Sequence, residues 1–330
     1  MASSLGVAVA GTVGATATQS RNPSTKTKAS NFKVAIFLPG GKGADGYNEN
    51  ASQAAALVHE KLGVTVTVAT RVATATQDQT YAEFASKGYN LVVGYSGSFA
   101  TGAKAEASKY PKTDFLVVDA DVTNGKNLGS FTITQTTWQY IGGYLAGELS
   151  KSGVVGWVGG ECFTDTVHNE IGSEEGLKAE NPKAKFISTY LGTWTTPAKA
   201  EQSADAMISD GADVIMGNQD TGWTGVDKAA EEHSGTRVID EYFNDHKTAP
   251  SVIASSVLKN QAPYLLEYAK SALDGHYMAK FTNFHLTKSS GPAISKTPLI
   301  PEKDYTAALK IQKEIVNGKL KVSKKGKCTS

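Results

Sequence analysis

From Asn31 onward the chain alternates short apolar runs with amphipathic stretches. "KVAIFLP" (33–39) is a β-branched run closed by Pro39 and two glycines, which predicts a buried strand. "NASQAAALVHEKLG" (50–63) has helical periodicity and a glycine stop. "VTVTVATRV" (64–72), "NLVVGYS" (90–96) and "DFLVVDA" (114–120) predict further strands, with helices at "TYAEFASKG" (80–88) and "SFATGAKAEASKYP" (98–111) between them. A glycine-rich helix follows at "TTWQYIGGYLAGELSKS" (136–152), then a second series. Its predicted strands are "GVVGWVGG" (153–160), "KFISTYLG" (185–192), "ADVIMG" (212–217), "TRVIDEYF" (236–243) and "SVIASSVL" (251–258). Helices are expected between them at 167–180, 196–211 and 223–234, and residues 260–330 add two helices and short strands. Continuous apolar strands alternating with helices imply parallel sheets covered on both faces. Two such units flank residues 130–150, so the pattern predicts two α/β lobes.

Composition adds limits. The chain has 330 residues, enough for two domains, with 33 basic and 32 acidic residues and a net charge of +1. Such a balance provides no strong field for nucleic acid or an anionic membrane. The basic run "KLKVSKKGK" (319–327) is short and reads as a solvated tail. Two cysteines, Cys162 and Cys328, fit no metal-ligand spacing, and a bridge between them is left open. The segment "MASSLGVAVAGTVGATATQS" followed by "RNPSTKTKAS" resembles the apolar core of a secretory signal, an Ala-x-Ala site at Ala15–Ala17 and a linker, but without a basic start. The signal therefore reads as incomplete, and the mature protein is expected outside the cytoplasm. No later stretch has the roughly 20 apolar residues of a spanning helix.

The glycines invite a phosphate-cradle reading, and their spacing opposes it. No GxxxxGK[ST] string occurs. "GVVGWVGG" puts its first glycines inside a strand, and "PGGKGADG" (39–46) has neither phosphate-loop spacing. The middle stretch is better read as a lobe-to-lobe crossing whose glycines serve close packing, with a ligand-facing turn at Gly159–Gly160. No nucleophile, base and orienting partner, and no paired metal ligands, stand out, so catalysis is not expected.

The segments "KVAIFLPGG…DGYNENA", "KYPKTDFLVVDA", "YIGGYLAGELSKSGVVGWVGG", "NPKAKFISTYLGTWTTPAKA" and "DGADVI" occur in this order and spacing in one family. Over about residues 31–323 the chain resembles the basic membrane protein family, the substrate-binding proteins of ABC importers, of which the better understood bind purine nucleosides or bases. The resemblance implies a type I periplasmic-binding-protein fold: two doubly wound parallel-sheet lobes, joined by several crossings, with ligand in the cleft. Lobe 1 is expected at 31–140 plus about 255–290, and lobe 2 at 141–254 plus about 291–330, after an N-terminal segment 1–30. It further implies a monomer that holds a small molecule and meets a membrane permease, without cofactor, metal or nucleic acid. A sugar-binding protein of the same fold, or a periplasmic sensor subunit, is the alternative.

Site residues carry over position by position. Tyr47 and Asn48 match the family's aromatic and Asn; its Asp is displaced, with Ala44 in the expected place and Asp45 next to it. Phe99 takes the place of a ligand-facing aromatic in "GYSGSFATG", with Ser96 and Ser98 as polar neighbours that also suit a helix cap. Asp119 closes a strand and offers a carboxylate to hydroxyls or a ring N–H. In lobe 2, Phe163 and His168 rim the cleft, Trp194 matches an aromatic position, and Gln219, Asp220 and Trp223 follow a strand. The family's "VDxDQ" pattern is broken in "RVIDEYFND", where Asp240 or Asp245 supplies the acid and spacing favours Asp245; Lys259 matches the Lys of the nucleoside binders. Because residues 1–30 lack core periodicity, their removal is expected to leave melting temperature and ligand affinity unchanged. A fall of several degrees in a thermal melt would show instead that the segment packs on a lobe.

Overall fold

The computed structural model describes residues 29–41 and 46–322; the signal-like reading of 1–28 and the assignments to Ala44, Asp45 and Cys328 fall outside the described residues. The first sheet is built from β1 (Lys33–Phe37), β2 (Thr65–Ala69), β3 (Leu91–Gly94), β4 (Asp114–Val118), β5 (Leu128–Ile133) and a late strand, β11 (Phe281–Phe284). Its order is β11-β5-β4-β3-β1-β2, and every pairing is parallel. The second sheet contains β6 (Val154–Gly159), β7 (Lys185–Tyr190), β8 (Val214–Asn218), β9 (Arg237–Glu241) and β10 (Ile253–Val257) in the order β10-β9-β8-β6-β7, again parallel throughout.

Alternation along the strands explains why each sheet needs two helical layers. In β1, Val34 and Ile36 pack with α1 (Tyr47–Leu62) and α8 (Ala262–Leu273), while Ala35 and Phe37 pack with α2 (Gln77–Ser86) and α3 (Ala100–Ala107). In the second sheet, Trp157, Met216 and Ile239 face α4 (Gln135–Leu149), α5 (Thr164–Glu180) and α9 (Glu302–Val316). Val158, Ile215 and Val238 face α6 (Pro197–Ser209) and α7 (Trp223–Glu232). The two-lobe α/β architecture expected from the alternation is present. The pattern passed over β5, whose six residues are all buried but include Gly129, Ser130 and Thr132, so no apolar run marks it.

The chain passes between the sheets at three places among the described residues: β5 to α4, β10 to α8, and after β11. These crossings lie side by side. Thr134 N donates to Phe284 O at 2.8 Å, Leu258 N donates to Ala293 O at 2.8 Å, and the Trp138 indole donates to Leu258 O at 3.1 Å. None of the described helices is long and apolar enough to cross a membrane.

The glycine-rich stretch now has a mechanical reason. A Cβ on Gly143 of α4 would overlap the Ser173 carbonyl of α5, and one on Gly176 would overlap the Tyr140 carbonyl. The helices approach backbone to backbone, so nothing there can yield cheaply. Gly147 differs in degree, since its added Cβ would meet side-chain atoms rather than backbone: Glu180 Cβ and Cγ at 2.9 Å and Leu177 Cδ1 at 3.5 Å. Ala returns about 1 kcal/mol of helix propensity, whereas overpacking costs roughly 1–3 kcal/mol. Gly143→Ala and Gly176→Ala should therefore lose up to about 2 kcal/mol in urea unfolding, and Gly147→Ala should lose less than either.

Candidate functional site

Parallel strands deliver their carboxyl ends to one edge, and the two edges face each other. Lobe 1 sends Tyr47, Asn48 and Asn50 from the first turn of α1, Tyr95 from the end of β3, Asp119 from the end of β4 and Thr132 from β5. Lobe 2 sends Asp165 and Asn169 from α5, Asp220 after β8, and Glu241 and Tyr242 at the end of β9. Lys259 and Gln261 lie on the β10–α8 crossing.

These groups meet across the cleft. The Asn48 amide donates to the Asp220 carboxylate of the other lobe, while Asn48 Oδ1 accepts from Gly40 N at 3.0 Å. The Tyr47 ring lies between two others, with centroids 5.1 Å from Tyr95 and 5.7 Å from Tyr242. Tyr242 holds φ at +72°, a left-handed conformation that is rare for a bulky side chain and that surrounding structure must enforce. Asp119, at φ +57°, accepts from Gln261 Nε2 at 2.9 Å and from the Thr132 hydroxyl at 3.0 Å. The same hydroxyl oxygen lies 3.2 Å from Asp165 Oδ2 of lobe 2. The Tyr47 hydroxyl lies against the Asp119 carboxylate, and the buried Gln219 Oε1 has no hydrogen-bond partner in the protein.

Lys259 is fully buried and spends its charge on Glu241. Its Nζ donates to Glu241 Oε2 at 2.5 Å and to Asn169 Oδ1 at 2.6 Å, and sits 5.3 Å from the Tyr242 ring centroid. Glu241 also accepts from Asn218 and, at 3.3 Å, from Gln139. The Lys259 carbonyl accepts from Asn50 Nδ2 of lobe 1 at 2.5 Å, so this one residue touches both lobes.

Burial dominates the electrostatics. Burial raises Glu241 while the Lys259 charge lowers it, and burial raises Asp119 against hydrogen bonds from Gln261, Tyr47 and Thr132. Burial first, and the Asp119 charge second, push Asp165 up to about 7. The phenols of Tyr47, Tyr95 and Tyr242 stay protonated, because burial lifts all three well above their ordinary value. Aromatic faces beside carboxylates and a few amides can hold a flat ring that carries N–H and O–H donors. Among the described residues, no cluster of His, Cys, Asp and Glu could hold a metal ion.

The structure gathers some of the expected residues and scatters others. Tyr47, Asn48, Asp119, Asp220 and Lys259 converge. Phe99 does not: it is wholly buried against Phe37, 4.7 Å between centroids, on the α2–α3 face of the sheet. Ser96 and Ser98 bond each other at 2.8 Å in the helix cap. Trp223 lies in the core beside α6, although its indole N–H has no protein partner. Gly160 is covered by the Trp194 ring, and Phe163 stacks on Trp194 at 6.2 Å while remaining 47% exposed, a half-open aromatic rim. His168 is half-buried on α5, and the neighbouring Cys162 is disulfide-bonded. Asp240 shares the α6–α7 side of β9 with Val238 and is raised by burial and by the charges of Asp227 and Asp245. Asp245 forms a turn in which its carbonyl accepts from Thr248 N at 2.8 Å.

Glu241, Tyr242, Tyr95, Asp165, Asn169 and Gln261 were not singled out from sequence. Alternation carried a signal for two of them. Glu241 shares its side of β9 with Ile239, which faces α4 and α5, and Tyr95 shares its side of β3 with Val93, which faces α1. The remaining ones come together only through the crossings.

Residues 31–325 match the family model described as Bmp: ABC transporter substrate-binding protein PnrA-like. The chain is 25% identical over 252 residues to a purine-binding protein of Brucella abortus, covering 76% of this chain and 71% of that protein. It is also 25% identical over 256 residues to the ABC transporter nucleoside-binding protein BmpA of Lactococcus lactis, covering 72% of each. Among solved structures, an ABC transporter solute-binding protein from Aeropyrum pernix superposes with a TM-score of 0.78 at 19% identity, covering 88% of this chain and 92% of that one. This likeness shows the shared fold.

The buried ion pair yields a direct test. Removing one member strands the other, which costs about 3–5 kcal/mol. Lys259→Met should lose that much in chemical denaturation, and adding Glu241→Gln to it should recover most of the loss.

Proposed function

The chain belongs to the Bmp family of PnrA-like ABC transporter substrate-binding proteins, and from that premise we propose that it captures a purine nucleoside or purine base between its lobes, outside the cytoplasm, and delivers it as a monomer to a membrane permease. Members of this family bind small molecules for transport rather than transform them. The names of two relatives support the purine class, one a purine-binding and one a nucleoside-binding protein.

The observation that carries the reading is the facing set of Tyr47 with Asn48 and Tyr242 with Asp220, contributed by opposite lobes. In this reading Tyr47 stacks on the base. Asn48 and Asp220 read ring edges, Asp119 accepts from ribose hydroxyls or a ring N–H, and Lys259 donates its third N–H. Groups from both lobes then bind the closed form better than the open one, and only such a difference drives closure.

Thermal melts with adenosine, inosine, adenine, hypoxanthine, ribose and glucose test the ligand class. A true ligand at 100 times its Kd adds about 2.7 kcal/mol of stability. A purine should raise the melting temperature, while ribose, glucose, ATP and NAD should not; a response to sugars alone would replace the purine reading with a sugar one. Tyr47→Ala should weaken purine binding by roughly 1–3 kcal/mol, the value of a lost base–aromatic stack, and should also lower fold stability, because the ring packs between Tyr95 and Tyr242. Normal binding by that variant in calorimetry would reduce Tyr47 to a packing residue.

A further inference from the structure

Asp119 and Asp165 belong to different lobes, yet their carboxylates flank one hydroxyl, that of Thr132, at 3.0 and 3.2 Å. A hydroxyl has one hydrogen, for which Asp119, Asp165 and the Ile133 carbonyl compete, so at least one carboxylate faces the hydroxyl oxygen without receiving its hydrogen. Two ionised carboxylates cannot share such a half-buried place at low cost. The nearby ammonium does not resolve the conflict, because Lys259 is already committed to Glu241 and Asn169. Among the described residues, the other titratable groups packed against the pair are Glu241, whose charge adds to the repulsion, and the phenols of Tyr47, Tyr95 and Tyr242, which stay neutral.

We propose that closure of the two lobes is proton-linked: drawing Asp165 against Asp119 around the Thr132 hydroxyl makes the closed protein take up one proton, held on Asp165. The inference rests on the lobe-closing reading given above. When the lobes part, Asp165 leaves with α5, meets water, and returns toward ordinary carboxylate behaviour. The proton sits on the carboxyl oxygen and comes from solvent, with no other bond made or broken.

The direction follows from linkage. In the closed form burial and the Asp119 charge push Asp165 up to about 7. The closed form therefore binds more protons than the open one between the ordinary carboxylate value of about 4 and pH 7. Closure is favoured most below that window, weakens as pH rises through it, and gains nothing from the proton above it. A one-proton linkage of this kind makes closure about tenfold weaker at pH 8 than at pH 6. Ligand would be caught more tightly in mildly acidic surroundings and released more readily in alkaline ones.

Two measurements on the described chain test this. Small-angle scattering of ligand-free protein should show compaction as pH falls from 8.5 to 5.5. Asp165→Asn, which imitates the protonated acid, should remain compact throughout. With adenosine as probe, wild-type affinity should be about tenfold higher at pH 6 than at pH 8, and the variant should bind alike at both. Asp119→Asn, which removes the opposing charge, should also flatten the pH dependence, so the test survives if one variant fails to fold. A flat wild-type profile in scattering and in binding overturns the proposal, as does a variant that keeps the wild-type slope. If adenosine fails to bind at any pH, the purine reading falls, and scattering alone decides the proton linkage.

Discussion

A wholly buried ammonium constrains this molecule more than any other single group. Taking Lys259 out of water costs several kcal/mol, and only a carboxylate with good geometry can compensate. Glu241 supplies it at 2.5 Å, Asn169 takes a second N–H, and Asn218 and Gln139 satisfy Glu241 in turn. That network ties β8, β9, α4 and α5 to the β10–α8 crossing. Through its carbonyl, Lys259 also anchors Asn50 of lobe 1. The point about which the lobes are joined and the floor of the cleft are therefore one polar cluster.

The cleft above this floor carries an excess of negative groups. Asp119, Asp165 and Asp220 come from both lobes, and the nearby cation is already paired. Neutral donors answer part of the excess: Gln261 and Thr132 for Asp119, and Asn48 for Asp220. A ligand rich in N–H and O–H groups, or a proton, answers the remainder. The proposed donor-rich ligand and the proposed proton-linked closure would thus be two responses to one electrostatic condition.

The glycines of the central stretch belong to this design at one remove. They let α4 and α5 touch backbone to backbone, which holds α5 rigid behind Asp165 and Asn169. The tight helix pair sits on the face of the second sheet that also presents Glu241, so packing far from any ligand fixes where the polar groups point.

Local pattern alone determined the parallel strands of both sheets, the helices between them and the two-lobe plan, because burial on both faces writes apolar runs into the sequence. The family resemblance, together with placement at strand ends and helix starts where a parallel sheet exposes side chains, marked Tyr47, Asn48, Asp119, Asp220 and Lys259. β5 escaped, since a strand of Gly, Ser and Thr buried by its neighbours leaves no apolar run. Phe99 and Tyr95 are four residues apart in one loop, and only the side of β3 from which each departs sends the first to the core and the second to the cleft. That Glu241 rather than Asp240 shares the α4–α5 side of β9 depends in the same way on which face of the strand those helices cover. The pairing of Asp119 with Asp165 depends on two chain segments from different lobes arriving at one hydroxyl. Such decisions are made by long-range packing, and the physical reason is that a side chain's neighbours across a sheet or a crossing are set by the docking of elements far apart in the chain.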